Sequence, residues 1–186
     1  MKKLFDFSLS FLALIIMILP CILIAILIKI DSRGPILYWS DRTGANNIIF
    51  KMPKFRTMKL GTPALATHLL HDAESHYTNL GIFLRKTSLD ELPQVFMVLT
   101  NKMSFVGPRP ALFNQFDLIE LRNKKGIDNI KPGITGWAQV NGRDELSIEE
   151  KVNFDLEYLE KRSFLFDLNI LWLTISKVIK RDGISH

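Results

Sequence analysis

The chain has 186 residues, 47% of them hydrophobic, and a formal charge of +5 at pH 7; it is one domain-sized unit with enough apolar content for a core and no room for two large domains. Residues 1 to 60 hold nine Lys and Arg against three Asp, so they carry +6 and the remainder −1. Basic charge beside an apolar N-terminus fits anionic lipid better than nucleic acid, and no aromatic and basic interleaving of the nucleic-acid kind appears. The single cysteine, Cys21, excludes an intramolecular disulfide and a cysteine zinc site.

Between Asp6 and Lys29 stand 22 uncharged residues, Phe7 to Ile28. A straight helix of that length reaches about 33 Å, enough for a hydrocarbon core of roughly 30 Å. Two features favour a re-entrant helix over a spanning one. Pro20 lacks a backbone donor and frees the Ile16 carbonyl, dividing the run into pieces of about 20 and 14 Å, neither able to cross alone. Cations flank both ends, Lys2 and Lys3 before, Lys29 and Arg33 after, and a span would strand one pair outside.

Ile36 to Ser40 and Ile48 to Met52 are β-prone runs separated by the turn-forming stretch Asp41 to Asn47, which predicts a hairpin. In Lys51-Met52-Pro53-Lys54-Phe55-Arg56-Thr57-Met58-Lys59 four cations surround one phenylalanine; a solvated edge strand and a wall of a phosphate site are both open. Residues 64 to 77 read as a helix placing His68, His71 or Asp72, and His76 on one face. That spacing resembles a metal face but offers no fourth ligand. Gly81 is expected to close this helix.

Asp90 and Glu91 follow, adjacent carboxylates at the start of a helix, with Arg85 and Lys86 before them and Arg109 in the turn Gly107-Pro108-Arg109-Pro110 after. An anionic pair in a cationic frame suits a phosphorylated substrate: guanidinium groups bind phosphate oxygens in pairs, and a carboxylate holds a divalent ion or attacks phosphorus. The plainer reading is a capping box of Ser88 and Glu91. Pro93 argues against it, because a helix capped by Ser88 would leave the Leu89 carbonyl unpartnered, whereas a start at Asp90 or Glu91 puts Pro93 in the tolerated first turn.

Ala111 to Lys125 reads as a helix closed by Gly126. Lys131 to Arg143 is rich in loops, and its Trp137 either stacks on a base or plugs the core. Ser147 to Arg162 is a helix with a capping box, Ser147 and Glu150, and a buried stripe Ile148, Val152, Leu156, Leu159. Phe164 to Ile179 is apolar but broken by Asp167 and Asn169 and trailed by Lys177, Lys180 and Arg181; it fits a helix in the membrane interface or a core helix.

Five stretches together resemble a known family over nearly the whole length: Lys-Lys-Leu-Phe-Asp before a proline-broken apolar run, Lys-Phe-Arg-Thr-Met at 54 to 58, Leu-Arg-Lys-Thr-Ser-Leu-Asp-Glu-Leu-Pro-Gln at 84 to 94, Met-Ser-Phe-Val-Gly-Pro-Arg-Pro at 103 to 110, and Pro-Gly-Ile-Thr-Gly-Trp-Ala-Gln-Val-Asn-Gly-Arg at 132 to 143. The chain is similar to the monotopic phosphoglycosyl transferases, a family of bacterial sugar transferases. The resemblance implies a helix-rich α+β monotopic membrane protein: a re-entrant membrane helix over 1–30, and a cytoplasmic catalytic domain over 31–186 with a small β-hairpin and an interfacial helix near 164–180. It implies transfer of a phosphosugar from a UDP-sugar to polyprenyl (undecaprenyl) phosphate, releasing UMP and needing Mg²⁺, at the cytoplasmic face of the bacterial inner membrane. That is the first membrane step in assembling a glycan of a glycoprotein, capsule or O-antigen.

By motif position Asp90 is the implied nucleophile and Mg²⁺ contact and Glu91 its acidic partner. Lys54, Arg56, Arg85 and Arg109 are the implied phosphate-facing cations, and Asn141 and Arg143 lie in the substrate-side motif. Three positions depart from the family pattern: Leu19 where a serine usually precedes the bend proline Pro20, Lys131 for a common arginine, and Pro53 before Lys54. The chain is expected to be the short catalytic form, without spanning helices ahead of residue 1. Competing classes are a membrane scaffold, which has no need of Asp90, and a metal-dependent pyrophosphatase using water as acceptor.

Overall fold

A computed structural model describes residues 2–63, 73–142 and 145–180. The apolar run forms one 30-residue helix, α1, Lys2–Asp31, with Pro20 inside it; the helix does not stop at the proline, and at about 1.5 Å per residue it measures roughly 45 Å. Its two ends touch the same body. At the start, the Ser104 hydroxyl donates to Asp6 Oδ2 at 2.7 Å, and Lys2 pairs with the buried Asp167. At the end, Ile24 and Ile28 are buried against Phe55 and Leu84. Between them Phe11, Leu12, Ile15, Ile16, Ile18, Leu19, Ile22 and Leu23 stand exposed.

The expected hairpin is present and longer than its β-prone runs. β1, Leu37–Thr43, pairs antiparallel with β2, Ile49–Phe55, in a register running from Leu37 opposite Phe55 to Thr43 opposite Ile49. Asp41 to Thr43, assigned from sequence to the turn, are strand. The turn itself is short because Asn46 and Asn47 take the left-handed conformation, φ 54° and 59°, which asparagine tolerates.

α2, Asn79–Lys86, is capped by the Thr78 hydroxyl, which accepts from the Gly81 N–H at 3.0 Å. Gly81 therefore opens this helix rather than closing the previous one. Glycine is required there because a Cβ would sit 1.9 Å from the Thr57 carbonyl oxygen. His68, His71 and Asp72 lie outside the described residues; among those described, no group of three or more His, Cys, Asp and Glu is placed to hold a metal.

The segment after α2 is tighter than an α-helix. Ser88 adopts φ 56° and makes no cap hydrogen bond, Leu89–Gln94 forms a 3-10 turn with Pro93 inside it, and α3, Val95–Leu99, continues from there. The capping-box reading of Ser88 and Glu91 is thereby set aside. β3, Ser104–Val106, lies parallel to β4, Gly133–Thr135. At Gly133 a Cβ would come 2.2 Å from the Gly107 nitrogen, so backbone packs on backbone where the Gly107 to Pro110 turn begins.

The helix expected over 111–125 is shorter, α4, Phe116–Lys124, closed by Gly126 at φ 68°. Residues 111–113 instead line the free edge of β1: the Thr43 N–H donates to the Ala111 carbonyl at 3.0 Å and the Phe113 N–H to that of Asp41 at 3.3 Å. α5 is Trp137–Val140, and Trp137 is partly buried among Val106, Val140 and Ile170 while its Nε1–H donates to Glu157, so it belongs to the core. α6, Ile148–Lys161, carries the predicted capping box of Ser147 and Glu150, with Val152 buried and Ile148, Leu156 and Leu159 packed beside it.

α7, Phe164–Lys180, has two faces. Asp167 and Ile170 are buried, while Leu165, Leu168, Trp172 and Ile175, spaced three and four apart, are exposed. Asp167 interrupts the apolar run because it is a core counter-ion: it pairs with Lys2 and accepts from the Tyr158 hydroxyl at 2.8 Å. The fold is thus a helix-rich α+β arrangement with a small antiparallel hairpin and one long apolar N-terminal helix.

Candidate active site

The 3-10 turn packs along β2, and this contact assembles the site. A 3-10 turn advances about 120° per residue, so the neighbours Asp90 and Glu91 point in different directions. Leu89 and Leu92 go into the cluster of Ile24, Ile28, Phe55 and Leu84, which fixes the turn on its apolar side. Both carboxylates are then drawn out of water, with side-chain exposures of 7% for Asp90 and 14% for Glu91.

Lys54, from β2, donates to Glu91 Oε1 at 2.8 Å and lies 4.0 Å from Asp90 Oδ2. Arg109, presented by the proline-bounded turn, meets Glu91 with both terminal nitrogens, Nη1 donating to Oε2 at 3.3 Å and Nη2 to Oε1. That turn is braced from behind: Arg122 on α4 donates Nη1 to the Arg109 carbonyl at 2.8 Å while its Nε donates to the buried Asp155 at 3.0 Å.

The environment separates the two carboxyls. Burial pushes the Asp90 carboxyl up, Lys54 pulls it back, and the Glu91 charge adds to the rise. Burial acts upward on Glu91 as well, but Arg109 and Lys54 outweigh it and hold this carboxyl well below its usual range. Glu91 is therefore a fixed anion whose oxygens serve to orient two cations. Asp90 makes no hydrogen bond among the described residues, and neither oxygen is sealed from solvent. An open carboxylate beside positioned cations is equipped to attack a phosphorus atom or to share a divalent ion with phosphate oxygens.

Magnesium commonly takes one or two carboxylates and completes its shell with water and substrate phosphates. One open carboxylate, Asp90, fits that mode, and Glu91, occupied by Arg109 and Lys54, does not compete for it.

Of the residues singled out from sequence, the structure brings together Asp90, Glu91, Lys54 and Arg109. Arg85, exposed at the end of α2, lies over the Tyr77 ring at 5.3 Å and is near enough to Asp90 to lower its carboxyl. Arg56 faces elsewhere. It is buried at the end of α1, where Nη1 donates to the Arg33 carbonyl at 2.6 Å and Nη2 to the Ser32 carbonyl at 2.9 Å and hydroxyl at 2.8 Å, so it closes α1. The Asn141 side chain donates to the Trp137 carbonyl at 2.7 Å, and Arg143 lies outside the described residues.

One residue was missed. Arg42 on β1 sends Nη1 to the Pro110 carbonyl at 3.1 Å and Nε to the Ser40 hydroxyl at 3.0 Å, beside Arg109. The signal was present in the alternation of the hairpin, which places residues 42 and 54 on one face once 42 is paired with 50.

Residues 1–181 match the family model "Bacterial sugar transferase". Among curated proteins, the chain is 37% identical over 191 residues to the "Uncharacterized sugar transferase EpsL" of Bacillus subtilis, covering all of this chain and 91% of that one. It is 41% identical over 189 residues to the "UDP-glucose:undecaprenyl-phosphate glucose-1-phosphate transferase" of Escherichia coli, covering 95% of this chain and 40% of that one. It is 38% identical over 189 residues to the "Undecaprenyl-phosphate glucose phosphotransferase" of Komagataeibacter xylinus, covering 96% of this chain and 36% of that one. The chain thus spans less than half the length of the second and third of these relatives. It belongs to the bacterial sugar transferase family and is a transferase enzyme.

Proposed function

We propose that the chain moves a phosphosugar from a UDP-sugar to polyprenyl phosphate, with Asp90 as the nucleophile, in the synthesis of a bacterial polysaccharide or other glycan. The observation that carries this reading is the open, buried Asp90 carboxylate 4.0 Å from Lys54, next to a Glu91 held charged between Lys54 and Arg109. In the first step an Asp90 oxygen attacks the phosphorus that bears the sugar. The bond from that phosphorus to the bridging oxygen breaks, and UMP leaves with the electron pair. In the second, a polyprenyl phosphate oxygen attacks the same phosphorus, the bond to Asp90 breaks, and the carboxylate is regenerated beside polyprenyl-diphosphate-sugar. Lys54 and Arg109 neutralise charge on the transferring group, which is most of what phosphoryl transfer asks of a protein. Asp90 would hold Mg²⁺, which would supply Lewis-acid neutralisation of phosphate charge.

The same reading puts the site at the cytoplasmic face of the cell membrane, with α1 re-entrant. Support comes from the docking of both ends of α1 on one body, through Asp6 with Ser104 and through Ile24 and Ile28 with Phe55. A straight spanning helix of roughly 45 Å would carry its ends to opposite sides. The exposed apolar stripe of α7 is a second surface suited to the interface.

The test is the mass of the intact protein after incubation with a panel of UDP-sugars and Mg²⁺. A phosphosugar adduct, with UMP released up to one equivalent before polyprenyl phosphate is added, is the expected result. UMP appearing only with both substrates present, and no adduct, would replace the two-step reaction with direct transfer and leave Asp90 as a metal ligand. Continuous sugar phosphate release without any acceptor lipid would mark a pyrophosphatase.

A further inference from the structure

Two of the four residues in the turn that presents Arg109 have no N–H to donate, Pro108 and Pro110. The carbonyls of this turn are held from outside. That of Pro108 accepts from the Gly133 N–H at 2.9 Å, that of Arg109 from Arg122 Nη1 at 2.8 Å, and that of Pro110 from Arg42 Nη1 at 3.1 Å. β4, α4 and β1 thus supply one hold each. The carbonyl at the entrance to the turn, that of Val106, is held by the first turn of α1: Lys2 Nζ donates to it at 3.2 Å.

Lys2 is fixed in this position by a network whose donors and acceptors balance. An ammonium has three N–H donors. Lys2 directs them to the Val106 carbonyl, to the Tyr158 oxygen at 3.3 Å and to Asp167 Oδ2. The Tyr158 hydroxyl lies 2.8 Å from Asp167 Oδ1 and 3.1 Å from the Val106 carbonyl. Its one proton favours the charged acceptor, which leaves Val106 to Lys2. Burial, and then the Asp167 charge, push this hydroxyl up, so it keeps that proton. Val106, Tyr158 and Asp167 are all buried, so a lost partner here is not replaced by water without cost.

We infer that Lys2 is a positioning residue for turnover: by holding the Val106 carbonyl it makes the docking of α1 set the Arg109 turn, and with it the hold of Arg109 on Glu91. This rests on the proposed function and deepens it, because it ties the chemistry to the seating of α1 through an ammonium far in sequence from Asp90. Arg109 meets both oxygens of Glu91, and the Glu91 charge bears on Asp90. A shift of about 1 Å in such a positioned group can cost roughly 100-fold in rate. The alternative is that Lys2 serves solely as counter-ion to Asp167 or as a flanking charge of the apolar run.

Full-length variants in lipid nanodiscs separate the two. First-turnover UMP release gives rate and KM for UDP-sugar, thermal melts give stability, and hydrogen exchange read by mass spectrometry reports the amides of residues 104–113. Lys2→Met is expected to slow UMP release about tenfold or more with little change in KM, and to speed exchange over 104–113. Lys3→Met, which removes a flanking charge, should stay near wild type. Ser104→Ala removes the Asp6 contact at the same end of α1 without touching the turn, and is expected to lower stability and keep the rate. In an Arg109→Lys background Lys2→Met should cost much less than it does alone, since both act through one group. Should Lys2→Met fail to fold, its combination with Asp167→Asn, which leaves no unpaired charge, carries the same expectations. A wild-type rate in the folded Lys2 variant, multiplicative losses with Arg109→Lys, or an equal loss of rate in Lys3→Met or Ser104→Ala would overturn the inference. If wild type releases UMP from no UDP-sugar, the functional reading fails on its own, and exchange over 104–113 decides whether Lys2 holds the turn: faster in Lys2→Met if it does, unchanged if it does not.

Discussion

Arg109 holds Glu91 through both of its terminal nitrogens, one to each carboxylate oxygen. The planar guanidinium meets both oxygens at once, which an ammonium cannot do. Arg109→Lys is therefore expected to fold with normal thermal stability and to lose well over tenfold in UMP release. Near-normal turnover would place Arg109 outside the phosphate site.

The two carboxylates should fail differently. Asp90→Asn removes a buried charge with no hydrogen-bond partner, so it is expected to abolish adduct formation while raising stability by about 1 kcal/mol at neutral pH. Glu91→Gln leaves Lys54 and Arg109 without their shared anion; turnover should slow, with some labelled protein remaining and stability falling. Thermal melts combined with intact mass decide it, and equal loss of stability in both variants would contradict the separation.

That separation has a pH signature. Burial raises the Asp90 carboxyl above its ordinary 3.8, so the neutral form is favoured on folding, a contribution present below 3.8 and lost as pH rises through the folded value. Glu91 behaves oppositely: burial is outweighed by Arg109 and Lys54, and its contribution is present above 4.5 and lost as pH falls through a lower folded value. The first-turnover rate of UMP release should therefore decline on the acid side at a pH above 3.8, and Glu91→Gln should shift that limb downward by removing a neighbouring negative charge. An unshifted or upward-shifted limb would assign it to another group.

If α1 returns to the side it entered, cysteines at the exposed positions 3 and 124, in a Cys21→Ser background, should react with an impermeant reagent from the same side. Pro20→Ala restores a backbone donor and should favour the straight form, though it must then undo the Asp6 contact to Ser104. Opposite accessibility in the unmodified helix would show a span.

Gly81→Ala tests the close approach to the Thr57 carbonyl. A Cβ at 1.9 Å cannot be absorbed by a side-chain rotation, since the obstacle is backbone. A loss of about 3 kcal/mol is expected in chemical unfolding. A loss within experimental error would mean that α2 shifts freely.

What sequence reasoning reached was set by local chemistry. The Ser147 and Glu150 box, the Gly126 stop and the β-prone runs of the hairpin depend on residues a few positions apart, and each is present. What it missed was decided across long distances in the chain. Residues 111–113 do not continue α4 because the free edge of β1 captures them. Gly81 opens a helix because Thr57 is in the way, and Asp167 is tolerated in an apolar run because Lys2 pairs with it. Among the site residues, motif position gave Arg56 and Lys54 the same role. Their separation appears only when Arg56 is seen on the carbonyls of Ser32 and Arg33.

The separation of Lys54 and Arg56 fixes a distance. Lys54 grips Glu91 at the end of β2, and two residues later Arg56 closes the last turn of α1; two residues of extended chain measure about 7 Å. Under the proposed function, the carboxylate that meets the acceptor phosphate is tied at that short, fixed distance to the last turn of α1. A lipid-borne phosphate would then be met near that turn whatever hydrocarbon trails behind it. Under the proposed function the enzyme is therefore tolerant of acceptor tail length and exacting about the headgroup, because only the headgroup reaches the ruler.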